Sequence, residues 1–93
     1  MIKSFRGKEA QRIWFGESVR RFPPALQKIS RRKLRMLNNA RTLEDLRLPP
    51  GNRLEILYGD RAGQYSIRIN IQWHICFVWS NGDVLEVEIV DYH

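Results

Sequence analysis

The spacing of the hydrophobic residues changes near Leu54, and this change limits the folds that the chain can adopt. Before Leu54, apolar residues return every three or four places, as along one face of a helix. After it, they alternate with polar residues, as along a half-buried strand. Helices followed by strands are typical of α+β domains. The sequence therefore predicts an α+β fold, with two to three N-terminal helices packed on an antiparallel sheet of about four strands.

The helical half contains three predicted segments. A short helix is expected over residues 8–15, with its last three residues facing the core. Pro24 is expected to open a second helix that ends near Asn38, because proline suits the first helical turn. Thr42, followed by Asp45, predicts the N-terminal cap of a third, short helix. The core face of the second helix is predicted to contain Leu26, Ile29, Lys33 and Leu37, with Leu34 and Met36 beside it.

The second half of the chain carries the strand signals. Residues 64–70 and 73–79 alternate between polar and apolar side chains. Asn81-Gly82 is a strong signal for a tight hairpin, and it leads into a strand over residues 84–90. Strands joined by successive hairpins predict a meander. Further short strands are predicted over residues 54–58 and 2–5.

Length and composition indicate one small domain over residues 1–93. The single cysteine, Cys76, excludes an internal disulfide and a site built from several thiolates. No apolar run approaches the roughly 18 residues that a membrane span needs, and the N-terminus lacks the apolar stretch of a signal peptide. We therefore expect a cytoplasmic protein that does not contact the membrane.

Positive charge is concentrated in the first half of the chain. Residues 1–53 contain 14 Lys and Arg against 4 Asp and Glu, whereas residues 54–93 contain 2 against 6. Seven of the cations lie between Arg20 and Arg35. Such a cluster attracts polyanions, of which nucleic acid is the commonest. An acidic partner protein and a simply solvated helix face remain as alternatives.

A search for standard catalytic motifs excludes several chemistries. No glycine-rich phosphate loop is present, and one Cys with two His residues gives no recognisable zinc spacing. Neither Ser66 nor Cys76 has an identifiable base and orienting group. RNA cleavage by the ribose 2′-OH stays open, because it needs a base, an acid and cations but no metal. No cofactor and no metal ion are expected.

Polar residues near the end of the chain supply the groups that such a cleavage requires. Arg68 lies on the wet face of its predicted strand and can hold a phosphate. His74, on the wet face of the next strand, can exchange a proton near neutral pH. The C-terminus adds Asp91, Tyr92 and His93, a carboxylate, a phenol and an imidazole. The alternative for Arg68 is a purely structural ion pair with Glu86 or Glu88 across the sheet.

Six segments together resemble the HigB-type toxins of the RelE/ParE superfamily, including its GraT-like members. The Gly-Asp-Arg turn, the Ser-Ile-Arg strand and the terminal Asp-Tyr-His form a fairly specific combination. The similarity covers nearly the whole chain. The matching segments are Gly59–Asn70, Trp73–Phe77, Val87–His93, Ile2–Phe5, Arg32–Leu37 and Pro49–Glu55.

The resemblance implies a RelE-like fold and ribosome-dependent cleavage of mRNA in the A site. It also implies a HigA-type helix-turn-helix antitoxin as partner, with the complex binding operator DNA to repress its own operon. Tyr92 stands where the family has a tyrosine important for cleavage, flanked by Asp91 and His93. Arg68 matches the GraT-like members. Contacts to RNA and to the 70S ribosome are assigned to Arg20, Arg21, Lys28, Arg31, Arg32, Arg35 and Arg61.

Three positions depart from the family pattern. Tyr58, Asn70 and His74 stand where members of the family commonly carry a lysine or an arginine. These changes remove fixed cations and leave two further hypotheses open. One is a non-catalytic or weakly catalytic toxin that acts on another target, as the ParE branch inhibits gyrase. The other is a protein whose main role is to bind the antitoxin and co-regulate the operon.

Overall fold

The computed structural model describes residues 1–91, and within them helices precede strands as the change in spacing predicts. The predicted Tyr92 and His93 lie outside the described residues. The helices are α1 (Lys8–Trp14), α2 (Pro24–Asn39) and α3 (Leu43–Arg47), and the strands are β1 (Glu55–Ile56), β2 (Tyr65–Arg68), β3 (His74–Ser80) and β4 (Asp83–Val90). The α+β prediction is confirmed.

Helix α2 follows the predicted pattern closely. It begins at Pro24 and ends at Asn39, one residue beyond the expected end. Lys33 is buried as its place in the stripe implies, whereas Ile29 is only partly buried. Polar residues on the buried side bond to backbone carbonyls: Ser30 Oγ donates to the Leu26 carbonyl at 2.7 Å. The face of α2 toward the core is buried at Leu26, Gln27, Ser30, Lys33, Leu34 and Leu37.

The two shorter helices confirm most of what the sequence predicts. Thr42 caps α3, with Oγ1 accepting from the Asp45 N–H while the Asp45 carboxylate accepts from the Thr42 N–H. In α1, Ile13 is fully buried. The prediction that Phe15 faces the core is wrong, because its side chain is 66% exposed. The helix ends before Phe15, and Gly16, at φ 84°, turns the chain away.

The sheet is an antiparallel meander in the order β1-β2-β3-β4 over the described residues. Ile67, Ile75 and Ile89 lie side by side across β2, β3 and β4, and they form a row on the buried face. The hairpin between β3 and β4 turns at Asn81 and Gly82, which both have positive φ (49° and 89°), as a type I′ turn requires. The helices pack on this buried face, which leaves the opposite face for a site.

Residues 2–5 extend the sheet beyond β4, but in parallel orientation. Ile2 bridges to Val84 and Phe5 bridges to Val87. Between these points β4 carries a bulge, where Glu86 adopts φ 52° and its N–H donates to Ser4 Oγ at 2.9 Å. The bulge changes the alternation, so that Val84 and Val87, three residues apart, are both fully buried. Within residues 1–91 no helix combines the length and apolar character of a membrane span.

The left-handed backbone at Glu86 leads to a testable expectation. Replacing Glu86 with valine should lower the free energy of unfolding by about 1–2 kcal/mol, because a β-branched side chain is strained at positive φ. Glu86→Gly should not lower it, since glycine adopts this conformation freely. Urea unfolding of both variants measures the difference. A valine variant as stable as the parent would contradict the assignment of strain to Glu86.

Candidate active site

An open cleft of about 420 Å³ lies over the sheet face opposite the main core, at the end where β2 and β3 join. Its lining combines two guanidinium groups, one carboxylate, one imidazole and one apolar side chain. A phosphodiester in such a cleft would meet positive charge together with groups that can exchange protons. The lining residues are Arg53, Glu55, Arg68, Ile71 and His74.

Arg68 and His74, both proposed from the sequence, are brought together by the register of the sheet. They are direct partners across β2 and β3, so their Cβ atoms are about 5 Å apart by the geometry of antiparallel pairs. Both side chains line the cleft and are partly buried. Among ion pairs between described residues, none uses Arg68, so the structural alternative of pairing with Glu86 or Glu88 is wrong.

Arg53 and Glu55 also line the cleft, although the sequence did not single them out as site residues. Glu55 pairs with Ser66 across β1 and β2, which places it on the same face as Arg68, two residues further along. Arg53 adopts a left-handed conformation, with φ 46° and ψ 57°. The only sequence signal was their place in the segment that resembles the HigB-type toxins, because a two-residue strand is too short to show an alternation.

Asp91 lies at the same end of the sheet as His74. His74 pairs with Val90, and Asp91 is the next residue along the chain. Its exposed carboxylate accepts a hydrogen bond from Gln72 Nε2 at 2.8 Å, which connects it to the β2–β3 hairpin. The two residues that follow, Tyr92 and His93, are outside the described part of the chain. Their catalytic assignment stays a prediction.

Arg61 occupies a different environment from the one expected of an RNA contact. Its Nη1 atom lies 3.1 Å from Glu88 Oε1 and donates to Gln64 Oε1 at 3.1 Å. The side chain is 30% exposed. This pair fixes the turn that precedes β2 to strand β4. The Arg61 side chain therefore has a structural role, which is to hold this turn against β4. Its contact with RNA remains a prediction.

The outer side of α2 presents three of the seven predicted contact residues. Lys28, Arg32 and Arg35 are exposed, and their spacing of four and three residues places them on one side of the helix. Arg31 has an internal role: its guanidinium donates to the Ile13 and Glu17 carbonyls at 3.2 and 3.0 Å. We call Lys28, Arg32 and Arg35 the basic face.

The arginines that precede α2 differ from each other. Arg20 is exposed. Arg21 is exposed too, but its Nε lies 3.1 Å from Glu9 Oε2, and its guanidinium lies over the rings of Phe22 and Trp73, at 5.3 and 5.5 Å from their centroids. These contacts fix the segment before α2 against Trp73, the residue that precedes His74. Both arginines remain predicted RNA contacts.

Cys76 lies in the middle of β3 and is fully buried. Burial raises the pKa of its thiol to about 11, while the nearby Arg61 charge lowers it and Glu88 raises it. A thiol with this pKa is protonated at neutral pH and is a poor nucleophile. The geometry agrees with the sequence analysis, which found no base for Cys76.

The buried thiol should be detectable in solution. We expect Cys76 to react with a thiol reagent at pH 8 only after unfolding. The unfolded thiol ionises near its ordinary pKa of 9.0 and the folded one near about 11. As the pH rises from 9.0 to about 11, the unfolded state loses this proton while the folded state still holds it. The free energy of unfolding should therefore fall by about 2 kcal/mol over this pH range. Urea unfolding of Cys76→Ala should show a smaller fall; an equal fall would contradict this account.

In residues 1–91, no group of three or more His, Cys, Asp or Glu side chains is arranged to hold a metal ion. The cleft itself contains two fixed cations, Arg53 and Arg68, which can bind a phosphate.

Comparison with known proteins agrees with the resemblance found in the sequence. The profile of the family described as RelE-like toxin of type II toxin-antitoxin system HigB matches residues 3–93. Toxin HigB-1 of Vibrio cholerae serotype O1 is 36% identical over 86 residues, which cover 91% of this chain and 90% of that protein. Endoribonuclease HigB of Proteus vulgaris is 34% identical over 95 aligned positions, which cover both chains fully.

The fold has counterparts among solved structures. The chain superposes on a structure of the YoeB-YefM toxin-antitoxin heterotetramer from Staphylococcus aureus, with a TM-score of 0.62 and 16% identity, covering 100% of this chain and 98% of the other. A second YoeB-YefM complex from the same organism gives a TM-score of 0.58 at 15% identity. The predicted RelE-like fold is confirmed, and the chain belongs to the HigB family of toxins from type II toxin-antitoxin systems.

Proposed function

We propose that this toxin is a metal-independent, ribosome-dependent endoribonuclease that cuts mRNA and thereby inhibits translation. The direct pairing of Arg68 with His74, in a cleft that also contains Arg53 and Glu55, carries the proposal. The Proteus vulgaris relative named as an endoribonuclease supports the reaction class.

The proposed reaction is attack of a ribose 2′-oxygen on the adjacent phosphorus. A base takes the 2′-OH proton, the 2′-O–P bond forms, and the bond from phosphorus to the 5′-oxygen breaks. The leaving oxygen takes a proton from an acid. Arg68 and Arg53 stabilise the charge on the phosphate oxygens. Glu55 is the carboxylate of the cleft and is assigned the role of base, with His74 as a proton donor; Asp91, Tyr92 and His93 remain proposed participants in proton transfer.

The shape and charge of the molecule support the proposed dependence on the ribosome. The cleft is open and is lined by only five described residues, so it has little surface with which to hold a free RNA strand. The basic face is separate from the cleft lining and fits the phosphates of ribosomal RNA. The ribosome would thus supply the affinity and present the mRNA, while the cleft supplies the chemistry.

Membership of a toxin-antitoxin family also supports an antitoxin partner. Two solved structures that share the fold of this chain are complexes of YoeB with YefM. For this chain we propose a HigA-type antitoxin with a helix-turn-helix domain, which binds operator DNA together with the toxin. The cytoplasm is the compartment in which these partners would meet.

Asn70 and Tyr58, two of the three departures from the family pattern, bear on whether this chain cleaves RNA or acts in another way. Asn70 has a structural role, because its Oδ1 accepts from the N–H groups of Gln72 and Trp73 at 2.9 and 2.8 Å and so shapes the β2–β3 hairpin. Tyr58 is exposed and contributes no charge. A site with fewer cations favours the alternative of a weakly catalytic or non-catalytic toxin that acts on another target, such as gyrase.

The test is induced expression in cells that lack the antitoxin, followed by mapping of mRNA 5′ ends. Cuts in phase with codons, lost in Tyr92→Phe, are the expected result. Growth arrest with DNA damage and no such cuts would favour a gyrase-directed toxin. Absence of both arrest and cuts would favour a protein that mainly binds its antitoxin. Purified protein with mRNA alone and with mRNA on 70S ribosomes then tests the ribosome requirement.

A further inference from the structure

Lys33 is a buried cation in the middle of α2. The residue is 8% exposed, and Nζ donates a hydrogen bond to Oδ1 of Asn52. Burial, followed by the neighbouring charge of Arg32, lowers the pKa of the Lys33 amine. A methionine would fill similar space without removing a charge from water. Packing alone therefore does not explain a lysine at this position.

Asn52 uses its whole side chain to join separate parts of the fold. It is fully buried, and while Oδ1 accepts from Lys33, Nδ2 donates to the Leu46 carbonyl at 2.9 Å and contacts Met36 Sδ at 3.0 Å. Two of these partners belong to α2 and one to α3. The turn that ends at Asn52 is thus fixed to both helices.

The next residue, Arg53, has a backbone conformation that glycine adopts most easily. At φ 46° and ψ 57°, a residue with a side chain costs roughly 1 kcal/mol in the left-handed region. Arginine at such a position indicates that its side chain is used, and Arg53 does line the cleft. Asn52 on one side and the pairing of β1 on the other hold this geometry.

We propose that Lys33 and Asn52 are positioning residues, which set the direction of Arg53 and Glu55 in the cleft. Both cleft residues follow Asn52 closely, by one and three positions. Strand β1 has only two residues, so its pairing with β2 gives them limited support. The buried hydrogen bond supplies the missing constraint. The effect of this bond on catalysis rests on the proposed nuclease function. Its effect on the positions of Arg53 and Glu55 does not.

The test compares Lys33→Met with Lys8→Met, which removes an exposed lysine outside the cleft and the basic face. Backbone amide resonances of Arg53 and Glu55 are recorded first, because they require no activity. Initial rates of mRNA cleavage, with mRNA-programmed 70S ribosomes in excess over the toxin, then give kcat and KM, and urea unfolding gives stability. If Lys33→Met is unstable, Met36→Leu serves as a milder variant: it removes the sulfur contact to Asn52 Nδ2, keeps an apolar side chain of similar volume against the core, and should shift the same two resonances by less.

For Lys33→Met we expect the two amide resonances to shift, kcat to fall by about 10-fold or more, and KM and the urea midpoint to change little. Lys8→Met should match the parent throughout. A Lys33→Met protein with unshifted Arg53 and Glu55 resonances, or with unchanged kcat, would overturn the proposal. If the parent protein itself cuts no mRNA, the nuclease function fails, whereas the resonances still decide whether Lys33 positions Arg53 and Glu55.

Discussion

Replacing Arg68 with alanine is expected to slow ribosome-dependent mRNA cleavage by about 100-fold or more, with the fold retained. Removing a preorganised donor that stabilises developing charge commonly has an effect of this size. Arg68 lines the cleft directly opposite His74, and among the described residues no carboxylate neutralises it in an ion pair. Its side chain is therefore available to hold the phosphate, while the sheet depends on its backbone. The rate of cleavage on mRNA-programmed ribosomes is the measurement.

Two further variants define what Arg68 contributes. Arg68→Lys keeps the charge but loses the planar fork, so its rate should fall between those of the parent and the alanine variant. Arg6→Ala removes an exposed arginine outside the cleft and the basic face, and should leave the rate unchanged. If Arg68→Ala cut as fast as the parent, the cleft would not be the site of cleavage.

Replacing Asn52 with alanine is expected to lower the free energy of unfolding by about 3 kcal/mol. The variant would lose the hydrogen bond to the Leu46 carbonyl and would leave the Lys33 ammonium buried without this acceptor. A buried charge without its partner costs more than the pair contributes when both are present. For a domain of this size, such a loss is a large part of the total stability. Urea unfolding at neutral pH measures it.

The double variant separates the two causes of this loss. Lys33→Met alone should change stability by less than about 1 kcal/mol, because removal of the buried charge offsets the unpaired Asn52 oxygen. In Lys33→Met with Asn52→Ala, no buried ammonium remains, and part of the loss should be recovered. Losses that simply add in the double variant would contradict a coupling between the two side chains.

Local signals in the sequence were sufficient for most of the secondary structure. Pro24 fixed the start of α2, the Thr42 and Asp45 pair capped α3, and Asn81-Gly82 made the tight hairpin. Each of these signals depends on the geometry of a few neighbouring residues. The bulge at Glu86 was not predicted, because it is defined by pairing with β3 and with the N-terminal segment. Its one sequence signal is the three-residue spacing of Val84 and Val87.

Of the candidate site, the sequence identified the side chains that alternate on regular strands. Arg68 and His74 were placed on wet strand faces, and the register then made them partners. Arg53 and Glu55 were missed, because they follow an irregular turn and lie at the start of a two-residue strand, which is too short to show an alternation. Arg61 was expected to face RNA, yet it pairs with Glu88, 27 residues away.

The sequence by itself determined the fold class, the family and the excess of positive charge in the first half of the chain. These properties depend on hydrophobic spacing, short motifs and composition, which are all local. Only the tertiary structure decided which charged groups share the cleft and which neutralise one another. The reason is physical: charge interactions and hydrogen bonds act over a few ångströms in space. The distance in space between two residues depends on the fold and cannot be read from their separation along the chain.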